Sequence, residues 1–328
     1  MHDQWNHKMF NVTGREFNEL ALQAFKYQYD QNEIYKNYVD ALGVNVPSIG
    51  SLEQIPFLPI RFFKSHSITT GTFESTTVFE SSGTTGSINS RHFIKDATLY
   101  EESFMRAFEM FYGPVSDWCI LGLLPSYLER NNSSLVYMVN RLVHASGHTD
   151  SGFFLHDFDD LKHRLLSLEQ KGQKTLLVGV TFALLDFAEK HALPLQHTLV
   201  METGGMKGRR RELIRAEVHD RLCEAFSIRS VHSEYGMTEL LSQAYSSGHG
   251  FFKCPPWMKI LLRDEEDPLT IKKGSTSSGV INVIDLANIN SCCFIATDDA
   301  GRLHTDGSFE VLGRMDNSDL RGCSLMAV

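Results

Sequence analysis

The chain has 328 residues, a formal net charge of −9 and a hydrophobic fraction of 42%, which is enough apolar material for one large domain or two smaller ones. The negative balance argues against a nucleic-acid partner, because neutralising phosphates requires a concentrated basic surface. No apolar run reaches the roughly 20 residues that span a bilayer, and the first residues lack the pattern of a secretion signal. The six cysteines include no Cys-x-x-Cys pair, so we expect reduced thiols and a cytoplasmic protein.

The first 50 residues are predicted to be helical, because apolar side chains recur there at helical spacing and Gly43 suits a helix stop. These side chains are Phe17, Leu20, Ala24 and Tyr27, followed by Ile34, Tyr38 and Leu42. A connector at residues 55–60 contains two prolines and should be extended, since the residue before a proline avoids the helical region.

Helical and strand patterns alternate from residue 96 to residue 232. Helices are predicted within 100–111, 135–142, 161–168, 182–191 and 209–225, and strands at 118–124, 153–155, 176–180, 198–201 and 228–231. Apolar strands separated by helices imply a parallel sheet covered on both faces. Beyond residue 251 only strands are predicted, at 258–262, 280–284, 292–296 and 309–312. The predicted fold class is α/β, a parallel sheet flanked by helices with a β-rich C-terminal portion.

A loop of glycine and hydroxyl residues follows the strand-like residues 76–80. It consists of Ser81, Ser82, Gly83, Thr84, Thr85 and Gly86. Its backbone N–H groups can close around phosphate oxygens, and its hydroxyls add further donors. No Gly-Lys-Ser/Thr follows, so it is not a Walker A loop. Taken alone, the stretch is also compatible with an ordinary polar loop.

A second segment directly follows the strand predicted to end at residue 231. It consists of Tyr235, Gly236, Met237, Thr238 and Glu239. The carboxyl ends of parallel strands are where open α/β sheets bind ligands. Glu239 can hold Mg²⁺ directly or through water, because magnesium on a nucleotide usually takes one or two protein carboxylates. The alternative is a surface carboxylate at the start of a helix.

Two further signals lie in the β-rich portion. Asp298 is predicted at the end of a strand, where its two carboxylate oxygens can accept from both hydroxyls of a ribose; a turn aspartate is an equal alternative. Arg314, in the sequence Gly-Arg-Met-Asp at residues 313–316, can bind phosphate or ribose oxygens with its forked donors. A lone Gly-Arg pair has little specificity.

Together and in this order, the four motifs resemble those of the adenylate-forming superfamily, which includes acyl-CoA synthetases, luciferases and the adenylation domains of peptide synthetases. The resemblance spans residues 50–322. It implies that residues 81–86 form the phosphate loop, that Gly204 and Gly205 lie beside adenine, that Asp298 binds the ribose and that residues 313–316 form a hinge. It also implies a helical segment at residues 1–50, a catalytic domain at 51–313 and a shortened hinge and tail at 314–328.

Within this superfamily the chain is most similar to the acyl-protein synthetases of bacterial bioluminescence, of the LuxE type. The similarity lies in IPFLPIRFFK at residues 55–64, LLPSYLER at 123–130 and METGGMKGRRR at 201–211. In this family the acyl group passes from AMP to a cysteine near the C-terminus, and Cys323 stands in a matching place. A buried, inert thiol is the alternative for Cys323. Tyr127 would lie on the acid-binding side of the cleft, or else be a packed core aromatic.

Two features depart from the superfamily's pattern. The lysine that usually follows the phosphate loop is absent; Arg91 and His92 stand nearby, and the role of Arg91 is left open. The sequence ends twelve residues beyond Asp316, where most members continue into a small domain whose lysine aids adenylation. We therefore expect that domain to be missing.

The resemblance thus implies an enzyme that uses ATP and Mg²⁺ to convert a carboxylic acid, expected to be a fatty acid, into acyl-AMP with release of pyrophosphate. Thr238 would bond to the α-phosphate and Glu239 would hold the metal. The acyl group would then pass to a thiol, on Cys323, on a partner protein or on coenzyme A. The alternatives are an acyl- or aryl-CoA ligase and a weakly active nucleotide-binding scaffold for a partner enzyme.

Overall fold

The computed structural model describes residues 2–82, 88–125, 129–204, 213–272 and 277–315. The chain divides into two compact units, of which one, the terminal unit, combines Met1–Thr72 with Pro256–Val328. The other, the central unit, is the uninterrupted stretch Phe73–Pro255. The division near residues 50 and 313 that the family resemblance implies stays a prediction.

The helices and strands of the described residues are numbered in chain order. The helices are α1 (His2–Phe10), α2 (Phe17–Gln31), α3 (Glu33–Ala41), α4 (Phe62–Ser65), α5 (Ala97–Tyr112), α6 (Ser134–Ser146), α7 (Phe158–Lys171), α8 (Thr181–Lys190) and α9 (Arg215–Phe226). The strands are β1 (Leu58–Pro59), β2 (Thr77–Glu80), β3 (Arg91–Ile94), β4 (Cys119–Leu123), β5 (Gly152–Phe153), β6 (Thr175–Gly179), β7 (Thr198–Glu202), β8 (His232–Tyr235), β9 (Ala244–Ser246), β10 (Phe252–Lys253), β11 (Met258–Arg263), β12 (Ser277–Asp285), β13 (Phe294–Leu303) and β14 (Phe309–Arg314). Short 3₁₀ turns lie at Val46–Ser48, Leu52–Gln54, Val115–Asp117 and Leu286–Asn288.

The terminal unit is built on an antiparallel sheet in which β11, β12, β13 and β14 are successive neighbours, and β1 joins β13 in parallel. The N-terminal helices pack on this sheet through α2 and α3. The buried amide of Gln28 donates to the Asn288 carbonyl at 3.0 Å, and its oxygen accepts from the Cys293 N–H at 2.8 Å. The ring of Tyr35 stacks on Phe294 with centroids 6.2 Å apart. A polar side chain can be buried here because both ends of its amide are hydrogen-bonded.

The central unit contains a parallel sheet in the order β5-β4-β6-β7-β8, continued by the antiparallel strands β9 and β10. Strands β4 and β6 are buried at every residue, as continuous apolar runs predict for a sheet covered on both faces. One buried cluster packs α7, α8 and α9 against the sheet and includes Leu165, Leu184 and Leu222. Strands β2 and β3 form a separate antiparallel hairpin. The edge at which β4, β6, β7 and β8 end is called the carboxyl edge below.

The predicted α/β fold class and the alternation of helices and strands are confirmed, but the strand predicted at residues 228–231 is wrong. Ser227 adopts a left-handed φ of 53° and ends α9, and the Ile228 N–H donates back to that helix at 3.2 Å. The apolar run therefore closes the helix. Strand β8 begins at His232, which pairs with Met201 of β7.

Other differences concern which residues are buried and which short elements were not predicted. On α3 the buried side chains are Tyr35 and Val39, whereas Ile34 and Tyr38 are half-buried. Helix α4 and strands β3, β9 and β10 were not predicted. Within the described part of the chain, no helix combines the length and apolar character needed to cross a bilayer.

Candidate active site

The predicted phosphate loop begins directly after β2, the first strand of the β2–β3 hairpin. The last pair of the hairpin is Glu80 with Arg91, and Ser81 extends it: its N–H donates to the Ser90 carbonyl at 3.0 Å and its Oγ accepts from the Ser90 N–H at 2.9 Å. Ser82 is exposed at the end of this stretch. The other loop positions, Gly83, Thr84, Thr85 and Gly86, lie outside the described residues.

The loop end of the hairpin is tied to the segment before α6. The Glu80 N–H donates to the Asn132 carbonyl at 2.7 Å, and the Asn132 amide donates to the Glu80 carboxylate at 2.9 Å. The two strands are therefore held at the end where the predicted phosphate loop begins. Arg91, whose role was left open, is exposed with its guanidinium 5.6 Å from the centroid of the Phe93 ring.

The second motif begins on β8 and leaves the sheet at the carboxyl edge. Tyr235 is the last residue of the strand and is buried, with its ring 5.9 Å from that of Phe252. A Cβ atom at Gly236 would collide with the carboxyl group of Glu234, so that side chain would have to shift to make room for it. The segment then turns, with Met237 accepting from the N–H of residue 240 at 3.0 Å.

Thr238 and Glu239 follow in that turn. Thr238 is half-buried, and Glu239 is only 5% exposed. Carboxylate oxygens are the ligands that Mg²⁺ prefers in proteins, and a magnesium ion on a nucleotide needs only one or two of them. The carboxylate of Glu239 is therefore the type of ligand that such an ion prefers. Among the described residues, no three His, Cys, Asp or Glu side chains are grouped so as to hold a metal by themselves.

The structure brings the β2–β3 hairpin and the second motif together through His92, on β3. Its Nδ1 lies 2.8 Å from the carbonyl oxygen of Thr238. A carbonyl can only accept, so His92 carries its proton on Nδ1 in this bond. His92 is 1% exposed. The hairpin that carries the phosphate loop is thus fixed directly against the segment that contains Thr238 and Glu239.

Gly204 lies at the same carboxyl edge, just past the end of β7. Its φ of +73° favours glycine, and both of its backbone groups are hydrogen-bonded. Its carbonyl accepts from the Thr181 N–H at 2.9 Å, and its N–H donates to the Glu202 carboxylate at 2.7 Å. The neighbouring Thr203 N–H donates to the Gly179 carbonyl at 3.1 Å. The predicted adenine segment therefore starts between the ends of β6 and β7; Gly205 lies outside the described residues.

Glu202 is a buried charged residue that the sequence analysis did not identify. Its carboxylate accepts from Thr181 Oγ1 at 3.2 Å and from Arg215 Nε at 3.2 Å, besides the Gly204 bond. Burial alone would raise the pKa of Glu202. Hydrogen bonding from His219, the Arg215 charge and the Gly204 N–H outweigh burial and lower this pKa to about 2. The sequence does carry one signal for Glu202, a carboxylate at the end of an apolar strand. A charge buried there must find hydrogen-bonding or oppositely charged partners.

Two further ionisable groups on β8 were also missed. Burial, reinforced by the Glu202 carboxylate, raises the pKa of Glu234 to about 8. Burial and the nearby His219 lower the pKa of His232 to about 4. At neutral pH the strand that leads into the second motif therefore carries a protonated carboxyl group and a neutral imidazole.

Asp298, in the terminal unit, is not at the end of a strand as predicted, because β13 continues to Leu303. It lies in a bulge, since Ala296 pairs with Asn282 and Ala300 with Val280, which leaves residues 297–299 opposite a single residue. Bulges of this kind redirect side chains and are frequent near active sites.

The partners of Asp298 lie within the same unit. Its Oδ2 accepts from Arg61 Nε at 3.2 Å, and its carbonyl accepts from the Met315 N–H at 2.7 Å. The side chain is 24% exposed. Arg314 ends β14, is exposed, and pairs in register with Asp299. The structure thus places Arg314 beside the bulge that carries Asp298.

The cysteines differ in their burial. Cys119, Cys292 and Cys293 are buried, and Cys223 and Cys254 are partly buried. Burial raises the pKa of Cys119 to about 11 and that of Cys292 to about 12. These thiols are protonated at neutral pH and are poor nucleophiles. Cys323 and Tyr127 lie outside the described residues.

Comparisons with known proteins match most of the chain. A family model described as acyl-protein synthetase, LuxE, matches residues 12–327. A long-chain-fatty-acid–luciferin-component ligase of Vibrio harveyi is 24% identical over 93% of this chain and 85% of its own length. The ligase of the same name from Aliivibrio fischeri is 22% identical over 94% and 86%.

Among solved structures, the chain is similar to 2-hydroxyisobutyryl-CoA ligase in complex with 2-HIB-AMP and CoA. The TM-score is 0.65 at 15% identity, and the match covers 94% of this chain and 70% of that one. At this identity the likeness concerns the fold.

Proposed function

The chain belongs to the acyl-protein synthetase (LuxE) family, and we propose that it activates a fatty acid with ATP and Mg²⁺ and transfers the acyl group to its own Cys323. In the first half-reaction the acid's carboxylate attacks the α-phosphate of ATP and expels pyrophosphate, which gives acyl-AMP. In the second, a thiolate attacks the acyl carbon, forms a thioester and releases AMP. The family match confirms the resemblance drawn from the motifs, and both named relatives are long-chain fatty acid ligases, which supports a fatty acid as substrate.

The hydrogen bond between His92 and the Thr238 carbonyl carries the proposal for the first half-reaction. Joining a carboxylate to a triphosphate brings two anions together, so the enzyme must hold them in position and offset their charge. The bond fixes the hairpin of the phosphate loop against the segment of Thr238 and Glu239. This contact supports a site in the central unit that combines donors for the β- and γ-phosphates with a ligand for a metal ion.

The proposal keeps the individual roles that the family resemblance implies. Residues 81–86 hold the β- and γ-phosphates, the Thr238 hydroxyl donates to the α-phosphate, and Glu239 supplies an oxygen ligand for Mg²⁺. When bound, that ion offsets charge on the phosphates and the leaving group. The remaining residues keep the roles that the resemblance implies. They are Gly204 and Gly205 beside adenine, Tyr235, Gly236 and Met237 in the nucleotide site, Asp298 at the ribose, Arg314 in the hinge motif and Tyr127 at the acid.

The burial of other cysteines supports Cys323 as the acceptor. Cys119, Cys292 and Cys293 are shielded and protonated, and a thioester forms from the thiolate. Cys323 lies beyond the hinge motif between Gly322 and Ser324, with Arg321 next to them. A neighbouring cation favours the thiolate form of a cysteine.

The test uses the full chain with ATP, Mg²⁺ and a labelled fatty acid. We expect acid-dependent exchange of pyrophosphate into ATP and a protein adduct that survives denaturation but is cleaved by neutral hydroxylamine. The variant Cys323→Ser should keep the exchange and lose the adduct, while Cys254→Ser, the matched control, should keep both.

Each other outcome identifies an alternative. An adduct on a different cysteine contradicts the assignment to Cys323. Exchange with no adduct, but with product on added coenzyme A, favours a CoA ligase. An ATP-induced rise in melting temperature without exchange favours the nucleotide-binding scaffold, because ATP at 100 times its Kd should stabilise the folded protein by about 2.7 kcal/mol. The absence of both exchange and this rise refutes the proposed function.

A further inference from the structure

The buried carboxylate of Glu202 connects the end of β7, at the carboxyl edge, with two helices. Glu202 is 4% exposed. Its Oε2 accepts from the Gly204 N–H at 2.7 Å and from Thr181 Oγ1, at the start of α8, at 3.2 Å. Its Oε1 accepts from Arg215 Nε, at the start of α9, at 3.2 Å. Both carboxylate oxygens are therefore committed to partners on different elements.

The same carboxylate is connected to β8 through His219. The His219 Nε2 lies 3.6 Å from Glu202 Oε1 and 3.4 Å from Ser233 Oγ. Ser233 is the register partner of Glu202 on β8, and it stands two residues before Tyr235. The network around Glu202 thus ends next to the segment that carries Thr238.

Arg215 provides a second connection to that segment. Its guanidinium lies 5.0 Å from the centroid of the Phe252 ring, and Phe252 packs against Tyr235 at 5.9 Å. Removing the charge of Glu202 would take this carboxylate partner away from Arg215, whose side chain is 31% exposed. Glu202 is therefore linked to Tyr235 through Arg215 and Phe252.

The network of hydrogen bonds around Glu202 positions the backbone of Gly204. Its N–H is bonded to Glu202 and its carbonyl to Thr181, and the Thr181 hydroxyl is bonded to the same Glu202 carboxylate. The three residues form a closed set of hydrogen bonds at the point where the chain leaves β7. A loss of the carboxylate charge would weaken two of the three bonds at once.

We propose that Glu202 is a positioning residue for the nucleotide, whose carboxylate sets the edge formed by Gly204 and the start of the second motif. The inference rests on the proposed function, which places adenine beside Gly204. Glu202 does not touch the reacting atoms in this proposal; it fixes the backbone against which the base binds.

A matched control exists on α7, whose Glu169 contacts the opposite end of the same strand. Glu169 also accepts several hydrogen bonds at β7, from the Gln196 N–H at 2.8 Å, the His197 N–H at 3.1 Å and Thr198 Oγ1 at 2.6 Å. These bonds lie at the start of β7, opposite the carboxyl edge. A comparable loss there should weaken the fold without affecting the nucleotide.

The experiment compares Glu202→Gln, Glu202→Asp and Glu169→Gln with the parent in acid-dependent pyrophosphate exchange and in ATP binding by calorimetry. For E202Q we expect KM and Kd for ATP to rise about 10- to 100-fold, since charge-assisted hydrogen bonds are lost. KM for the fatty acid should change less than about 3-fold, within the range of an unaffected site. E202D keeps the charge and should recover part of the ATP affinity, and E169Q should lower the melting temperature but leave KM for ATP unchanged.

The contrary outcomes are distinct. Equal loss of melting temperature in E202Q and E169Q with an unchanged KM for ATP in both would show that Glu202 is only structural. A rise in KM for the acid alone would also overturn the proposal. If E202Q does not fold, Thr181→Val, which removes one donor from Oε2, must still weaken ATP binding, and unchanged binding refutes the inference. A parent that neither binds ATP nor exchanges pyrophosphate refutes the proposed function instead.

Discussion

The proton on Glu234 makes the stability of the central unit depend on pH. Burial and the Glu202 carboxylate raise the pKa of Glu234 from 4.5 to about 8. Between these two values the unfolded chain loses the proton while the folded chain keeps it. The folded state then binds more protons, so the free energy of unfolding falls as the pH rises through this window. Glu234→Gln removes the titration and keeps the shape of the side chain.

The expected size follows from the width of the window. One pH unit within this window changes the free energy of unfolding by about 1.4 kcal/mol. From pH 5 to pH 8 the free energy of unfolding of the variant should therefore rise relative to that of the parent by up to about 4 kcal/mol. For a unit of this size, 1 kcal/mol corresponds to about 2–4 °C in melting temperature. Calorimetric scans at pH 5, 6.5 and 8 should show the gap between E234Q and the parent moving by about 10 °C in favour of the variant.

A gap that stays constant from pH 5 to pH 8 would refute the reasoning, because it would mean that Glu234 is ionised in the folded state. The direction also matters. A gap that moves in favour of the parent as the pH rises would require a folded pKa below 4.5.

Three further predictions concern the two motifs and the ribose contact. Gly236→Ala should lower the free energy of unfolding in urea by about 1–3 kcal/mol, since the added Cβ overlaps the Glu234 carboxyl group. Gly14→Ala, with open space around it, should leave this free energy nearly unchanged, and equal effects of the two substitutions would contradict the packing argument. Asp298→Ala should weaken ATP binding by about 2–4 kcal/mol and keep the fold; calorimetric titration giving the parent's affinity would move the ribose contact elsewhere. His92→Gln should lower the rate of pyrophosphate exchange by about 10-fold or more by loosening the turn at Thr238; an unchanged rate would show that the hairpin is held without this bond.

Much of the fold was predictable because burial imposes strong patterns. The strands β4 and β6 are buried throughout and their sequences are largely apolar, so that a parallel sheet covered on both faces could be inferred. Strand β8 was missed for the opposite reason. Its sequence, His-Ser-Glu-Tyr, is polar because it carries the residues of the carboxyl edge, whereas the apolar run before it closes α9.

The site was predictable where its residues are consecutive. Tyr235 and Thr238 belong to one short motif, and such a motif is visible in the sequence alone. Glu202, Arg215 and His219 are spread over a strand and a helix, and they meet only because α9 packs beside the end of β7. No local pattern encodes that packing, so this part of the site required the structure.

The terminal unit combines two distant parts of the chain, and this has a consequence for the order of folding during synthesis. The central unit is one uninterrupted stretch, and it can fold as soon as residue 255 leaves the ribosome, because domains generally fold as units. Helix α2 cannot complete its packing then, since the partners of Gln28 are Asn288 and Cys293. The roughly 260 residues between Gln28 and Asn288 take on the order of 10–50 seconds to synthesise at about 5–20 residues per second. The apolar face of α2 remains uncovered during that interval, so a nascent chain halted before β13 should bind general chaperones through its first 41 residues.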